Sequence, residues 1–140
     1  IIDNLLNNFF HKKNREENNS KFKIACVSCP TLFKTLHDYV AVRKEHPDIE
    51  NLGIYLSRID LRLFEYDKRF DCYGFEFYSF YDYKNPLDLD PKFENYFDLI
   101  IADPPYLSNE CHIKTGMTIR KLGKPDKLKL IICTGNFFLF

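Results

Sequence analysis

Asp103-Pro104-Pro105-Tyr106 follows directly on the apolar run Phe97-Asp98-Leu99-Ile100-Ile101-Ala102, so a carboxylate, two rigid carbonyls and an aromatic ring fall at what reads as a strand end. Each proline fixes its φ and gives up its N–H, which leaves the carbonyls of Asp103 and Pro104 as pure acceptors able to face a pocket. A pocket of that kind fits a nitrogen donor, either a planar amino group or an amine. Tyr106 adds a flat apolar face with a polar tip, suited to stacking on a base or to lying along a lysine stem and its charge. The motif therefore specifies a nitrogen as the acceptor atom before it specifies a substrate.

These groups need a fold to position them, and the hydrophobic pattern supplies one. Lys23 to Val27 is a short, nearly continuous apolar run, the pattern of a strand buried on both faces. Pro30 suits a first helical turn, and Leu32, Phe33, Leu36 and Val40 recur at helical spacing, giving a helix from Thr31 to about Glu45. Leu61 to Glu65 reads as a second strand, reached through a connection around Pro47 to Ser57 with room for a few extended residues. A helical stretch near Phe70 leads to a third strand, Phe75 to Tyr81. Phe97 to Ala102 is the fourth strand. A helix over Asn109 to Leu122, stopped by Gly123 and Pro125, precedes a fifth from Leu128 to Cys133. Ahead of all this, Leu5 to Arg15 has helical spacing weakened by four asparagines, and Glu16 to Ser20 is a polar connection.

Strands separated by helices or long crossovers imply a doubly wound, parallel α/β sheet, which binds ligands beyond the carboxyl ends of its strands. Ser28, Glu65, Asp82, Asp103 and Thr134 all fall at those ends. An acid closing the second strand offers two acceptors to a ribose diol, with Glu65 the first choice and Asp67 the second. Either acid also reads as a surface partner of Lys68 or Arg69. Asp82 after the third strand suits the amino group of an adenine, with Tyr83 among the aromatics covering the ring, and equally suits a plain Asx turn. The turn at Ser28 and Cys29 lacks a Gly-x-Gly, so a pyrophosphate is poorly served and a cofactor without phosphates fits better. S-adenosylmethionine meets that description, its carboxylate taking N–H groups from the start of the Pro30 helix.

Lys plus Arg equals Asp plus Glu, for a formal net charge of zero, whereas duplex-binding domains usually carry a basic excess. Lys12, Lys13 and Arg15, and later Lys121, Lys124, Lys127 and Lys129, read as solvated loops and helix faces rather than a patch. No apolar run approaches a membrane span and no signal-peptide core is present, which points to a cytoplasmic protein. The five cysteines then read as thiols. Cys26-x-x-Cys29 has metal-ligand spacing, but zinc needs a second ligand pair that the scattered histidines do not supply, so no metal is expected.

Four blocks, in order, resemble the eukaryotic elongation factor 1-alpha lysine methyltransferase family: Ile24-Ala25-Cys26-Val27-Ser28, Phe64 to Phe70, Phe80 to Leu89, and Ala102 to Ser108. Proteins of that family were first described as putative N6-adenine DNA methyltransferases because of the Asp-Pro-Pro-Tyr motif. The resemblance runs from about Lys23 to Gly135. It implies a Rossmann-like class I methyltransferase sheet, S-adenosylmethionine as cofactor, and elongation factor 1-alpha as protein substrate. It further implies a catalytic set of Asp103, Pro104, Pro105 and Tyr106, with Ser28, Cys29, Glu65, Asp67, Asp82 and Tyr83 holding the cofactor.

Departures from the family pattern lie at Cys29, where a small residue is usual, in a long segment from Val42 to Asp60, and at both ends. The chain starts at Ile1, and Asn136 to Phe140 is an abrupt aromatic tail, so both ends are expected to be cut and the last two strands of seven to be missing. The expected layout is an N-terminal helix and connection over 1–22, an incomplete methyltransferase domain over 23–135 and a divergent tail over 136–140. Two alternatives remain at this stage: an N6-adenine methyltransferase in which Tyr106 stacks on a flipped base, and a truncated fragment without catalysis.

Overall fold

The computed structural model describes residues 21–45 and 58–133. The helix expected over Leu5 to Arg15, the connection around Pro47 to Ser57, Thr134 and the tail from Asn136 lie outside the described residues.

β1 (Phe22–Val27) lies at the centre of a parallel sheet. On one side it pairs with β2 (Ile59–Glu65), in a register running from Phe22 opposite Ile59 to Val27 opposite Phe64. β3 (Tyr78–Phe80) lies outside β2. On the other side of β1 comes β4 (Leu99–Ala102), with Val27 opposite Ala102, and then β5 (Lys129–Ile132), giving the order β3-β2-β1-β4-β5. The expected doubly wound α/β sheet is what forms, in the Rossmann-like arrangement the resemblance implied. The chain leaves β3 to re-enter on the far side of β1, so the order reverses between β1 and β4. That is the switch point at which such sheets open a crevice.

Burial on both faces accounts for the unbroken apolar runs. Ile24 and Cys26 of β1 join Leu61, Leu63, Leu99 and Ile101 under Phe33, Leu36 and Val40 of α1 (Pro30–Glu45). Ala25 and Val27 face the other way, with Phe64, Ile100 and Ala102, against Ile119 and Leu122 of α2 (Asn109–Leu122). α2 starts where Ser108 accepts a hydrogen bond from the Cys111 amide, a helix cap. It ends at Gly123, where an added Cβ would run into the Leu128 side chain, so the glycine serves close packing there.

Two expectations need correction. The third strand was expected over Phe75 to Tyr81, and only Tyr78–Phe80 is strand. Gly74 has φ +79° and starts a turn in which its carbonyl accepts from the amides of Phe77 and Tyr78 at 3.1 and 2.9 Å. The carbonyls of Phe75 and Glu76 go to the Arg62 guanidinium instead of a ladder, at 2.9 and 2.6 Å. The fourth strand begins two residues later than Phe97. Phe97 meets Gly123 in an isolated bridge, and Asp98 accepts from the Lys23 amide at 3.0 Å and the Lys124 ammonium at 2.8 Å. A turn over Pro91–Phe93, capped by Asp90, was not anticipated; it places Phe93 edge-on against Phe64, ring centroids 5.5 Å apart.

Candidate functional site

A cleft of about 490 Å3 opens at the carboxyl ends of the strands. Ser28 and Pro30 contribute from the end of β1, Glu65 and Tyr66 from β2, Tyr81 to Lys84 from β3, and Pro105 and Tyr106 from β4. Its size is that of an ordinary small-molecule site.

Ser28 turns the chain from β1 into α1 with φ +56°, its amide donating to the Phe64 carbonyl at 2.9 Å. A residue with a Cβ pays about 1–2 kcal/mol for that left-handed conformation, so the turn is bent hard to clear the cleft. The Cys29 side chain goes elsewhere. It is buried among Phe33 and Leu36, and its Sγ donates to the Ile101 carbonyl at 3.4 Å. A hydrogen bond with Cys26 and burial push the Cys29 thiol well up, so it stays protonated. Of the five cysteines, Cys72 and Cys133 are exposed and Cys26, Cys29 and Cys111 buried. Burial and the nearby Asp103 carboxylate also raise the Cys133 thiol. A thiol-reactive disulfide reagent at neutral pH is therefore expected to label Cys72 first, Cys133 more slowly, and the other three only on unfolding. Fast reaction of Cys29 in the native protein would contradict this placement.

Glu65 accepts from the amides of Tyr66 and Asp67, at 2.9 and 3.0 Å, through Oε1 alone. Among the described residues Oε2 takes no hydrogen bond, so one carboxylate oxygen is committed to the turn and one remains for a ligand in the cleft. Asp67 is directed away from it. Its carboxylate caps the turn over Lys68–Tyr73, accepts from the Arg69 amide and side chain at 2.9 and 2.7 Å, and is held below the usual carboxylate range by that arginine. With Tyr66, Lys68 and Phe80 it borders a separate, more open hollow. Of the two acids considered for the ribose, the cleft contains Glu65.

Asp82 makes the Asx turn, accepting from the Lys84 amide at 2.9 Å, and its side chain still borders the cleft. Tyr83 beside it stands at 61° to the Tyr106 ring, centroids 5.6 Å apart. Asp103 is exposed and tied to the end of β1 through its amide, which donates to the Val27 carbonyl at 3.0 Å. Pro104 is buried. Among the described residues nothing donates to the carbonyl of Asp103 or of Pro104, so both keep the acceptor capacity the motif suggested.

Sequence reasoning overlooked the residues that hold this arrangement from behind. Tyr81 is fully buried at the cleft floor, and its hydroxyl shares a 3.0 Å hydrogen bond with Thr118 of α2. Thr118 donates in turn to the Pro86 carbonyl at 3.0 Å, and the Lys121 ammonium reaches the Leu87 carbonyl at 2.8 Å. The loop after β3 is thereby fastened to the helix after β4. The only signal was a polar residue at a core-facing helical position. Thr118→Val leaves the Pro86 carbonyl and the Tyr81 hydroxyl unsatisfied, and we expect a loss of about 1–3 kcal/mol in denaturant unfolding. A change under 0.3 kcal/mol would mean that the fastening carries no weight. Among the described residues no group of three or more His, Cys, Asp or Glu is arranged to hold a metal ion, and no helix is long and apolar enough to cross a membrane.

The sequence pattern of the family described as "Probable N6-adenine methyltransferase" matches residues 3–138. The chain is 45% identical over 114 residues to "EEF1A lysine methyltransferase 1" of Homo sapiens, covering 81% of this chain and 44% of that protein. It is 43% identical over 116 residues to "Protein-lysine N-methyltransferase M142.8" of Caenorhabditis elegans, with 81% and 46% covered. A Dictyostelium discoideum protein, "Protein-lysine N-methyltransferase DDB_G0272708", is 40% identical over 114 residues, with 81% and 46% covered. The chain spans about half the length of the curated relatives it matches. No solved structure gives a significant match.

Proposed function

The chain belongs to the family described as probable N6-adenine methyltransferase, and from that premise we propose that it is an S-adenosylmethionine-dependent protein-lysine N-methyltransferase acting on elongation factor 1-alpha in the cytoplasm. The observation that carries this is the pairing, across one cleft, of Glu65 at the end of β2 with Pro105 and Tyr106 at the end of β4. One end offers a carboxylate oxygen to a diol and the other a ring to an amine, with Asp103 and Pro104 immediately before it in the chain though not in the cleft lining. The relatives' names favour lysine over the adenine in the family's description, and so does the zero net charge.

The residues present fit the cofactor. Glu65 would hold the ribose hydroxyls, Asp82 the adenine amino group, and the turn at Ser28 and the start of α1 the amino acid end. When bound, S-adenosylmethionine supplies an electrophilic methyl group on a sulfonium.

The acceptor nitrogen is this chain's own problem to solve. A lysine with a pKa near 10.4 is neutral in only about one molecule in a thousand at physiological pH, a cost of about 4 kcal/mol. The Asp103 carboxylate and the Pro104 carbonyl accept the remaining N–H groups of the neutral amine and thereby aim its lone pair. Asp103 alone also favours the ammonium ion, so the displaced proton leaves to water at the exposed mouth of the site. Tyr106 covers the lysine stem.

The test is calorimetric titration of the chain with S-adenosylmethionine, followed by mass spectrometry of elongation factor 1-alpha incubated with both. Binding followed by methylation of a lysine is expected. No binding, or binding without any methylated lysine, would overturn the proposal.

A further inference from the structure

We infer that Thr118, a residue of α2 outside the cleft lining, is a positioning residue for the cofactor: acting through Tyr81 and the Pro86 carbonyl, it sets where the Asp82 carboxylate stands. This rests on the cofactor reading given above and adds to it a residue that touches no ligand.

The loop after β3 needs an outside anchor. β3 is an edge strand of three residues in the described sheet, so little ladder holds the chain that leaves it. Tyr81 keeps one such bond, its amide donating to the Glu65 carbonyl at 3.0 Å. From Asp82 onward the loop is bonded to itself, the Asn85 amide to the Asp82 carbonyl at 2.9 Å and the Asp88 amide to the Asn85 carbonyl at 3.0 Å. These turns fix the shape of the loop and leave its placement to its attachments. Among the described residues, the hydrogen bonds from 82–88 to another element run to α2, from Thr118 to the Pro86 carbonyl at 3.0 Å and from Lys121 to the Leu87 carbonyl at 2.8 Å.

α2 is a firm reference for that attachment. Near its end the carbonyls of Lys121 and Leu122 accept from the amides of Asn95, Tyr96 and Phe97, and its start is capped by Ser108, two residues after Tyr106. The loop that carries Asp82 is thus held by the same helix that follows the Asp-Pro-Pro-Tyr motif.

Counting protons gives the direction of the relay. Thr118 has one hydroxyl proton, which goes to the Pro86 carbonyl at 3.0 Å or to the Lys114 carbonyl of its own helix at 3.3 Å. Its lone pairs then receive the Tyr81 hydroxyl, 3.0 Å away. Burial raises the Tyr81 hydroxyl, which therefore keeps its proton as a donor. Both side chains are fully buried, so solvent does not replace a lost partner. Asp82 is the next residue in the chain, and a Tyr81 ring that shifts to find another acceptor carries the Asp82 carboxylate with it.

The test is calorimetric titration with S-adenosylhomocysteine, the demethylated cofactor, into chains shown to be folded by circular dichroism. Thr118→Val keeps the shape and removes the relay, and should weaken binding about tenfold, since small displacements of a positioning group are costly. Thr118→Ser restores the hydroxyl and should bind within about twofold of the parent. Tyr81→Phe cuts the same relay from its other end while keeping the ring, and should lose affinity in the same direction. In an Asp82→Ala background, Thr118→Val should cost less than about twofold, because the group it positions is gone. A purely structural Thr118 would lower the unfolding midpoint and leave the affinity of the folded chain alone. Parent-like binding by Thr118→Val or by Tyr81→Phe, or an equal loss with and without Asp82, overturns this inference and leaves the proposed function standing. A parent chain that binds no S-adenosylhomocysteine overturns the cofactor reading, and this inference with it.

Discussion

Asp103→Ala is expected to lower methyl transfer to lysine by at least about a hundredfold, the loss typical of removing one group that orients or relays a proton at a reacting centre. The side chain is exposed and the residue is anchored through its amide on the Val27 carbonyl, so the strand end survives the substitution. Unfolding stability should change by no more than about 0.5 kcal/mol, and affinity for S-adenosylmethionine should stay within about twofold. Single-turnover transfer assays beside calorimetry separate these quantities. Transfer undiminished in Asp103→Ala would remove the carboxylate from the chemistry and leave the proline carbonyls to orient the amine alone. In the parent chain the rate should rise about tenfold per pH unit from pH 7 toward the lysine pKa, since deprotonation of the amine precedes attack.

Glu65→Ala should weaken S-adenosylmethionine binding by about ten- to a hundredfold, because a hydrogen bond to a charged group contributes about 1.5–3 kcal/mol. Glu65 does two jobs: Oε1 holds the Tyr66 and Asp67 amides while Oε2 is open to the cleft. Alanine removes both and loosens the turn. Glu65→Gln retains an oxygen for the amides and loses the charge, so its smaller deficit reports on the ligand alone. Asp67→Ala, by contrast, breaks an ion pair with Arg69 outside the cleft and should leave cofactor affinity unchanged. Equal losses in the Glu65 and Asp67 variants would mean that the ribose is held differently.

The strand ends were legible because buried parallel strands write themselves as continuous apolar runs, and the first polar residue after each run marks its carboxyl end. Ser28, Glu65, Asp82 and Asp103 were found that way; the cleft unites the first three with Tyr106, while Asp103 stands outside its lining. The boundaries of α2 were equally plain, since Ser108 caps one end and the glycine at position 123 closes the other. What the sequence hid depended on contacts distant along the chain. Whether Asp67 or Glu65 faced the cleft turned on Arg69, and whether Cys29 lay in the site or in the core turned on the Ile101 carbonyl opposite it. The shortening of β3 followed from Arg62 capturing two carbonyls thirteen and fourteen residues away. Tyr81 and Thr118 read as one more aromatic and one more helix residue until their hydroxyls met across the layer between sheet and helix.

The most direct test of the whole account is a competition for one acceptor. The chain, labelled S-adenosylmethionine, purified elongation factor 1-alpha and adenine-containing DNA are combined in a single reaction, and the label is assigned by digestion and mass spectrometry. Label on lysine, lost in Asp103→Ala, is the result predicted here. Label on the adenine amino group would contradict it.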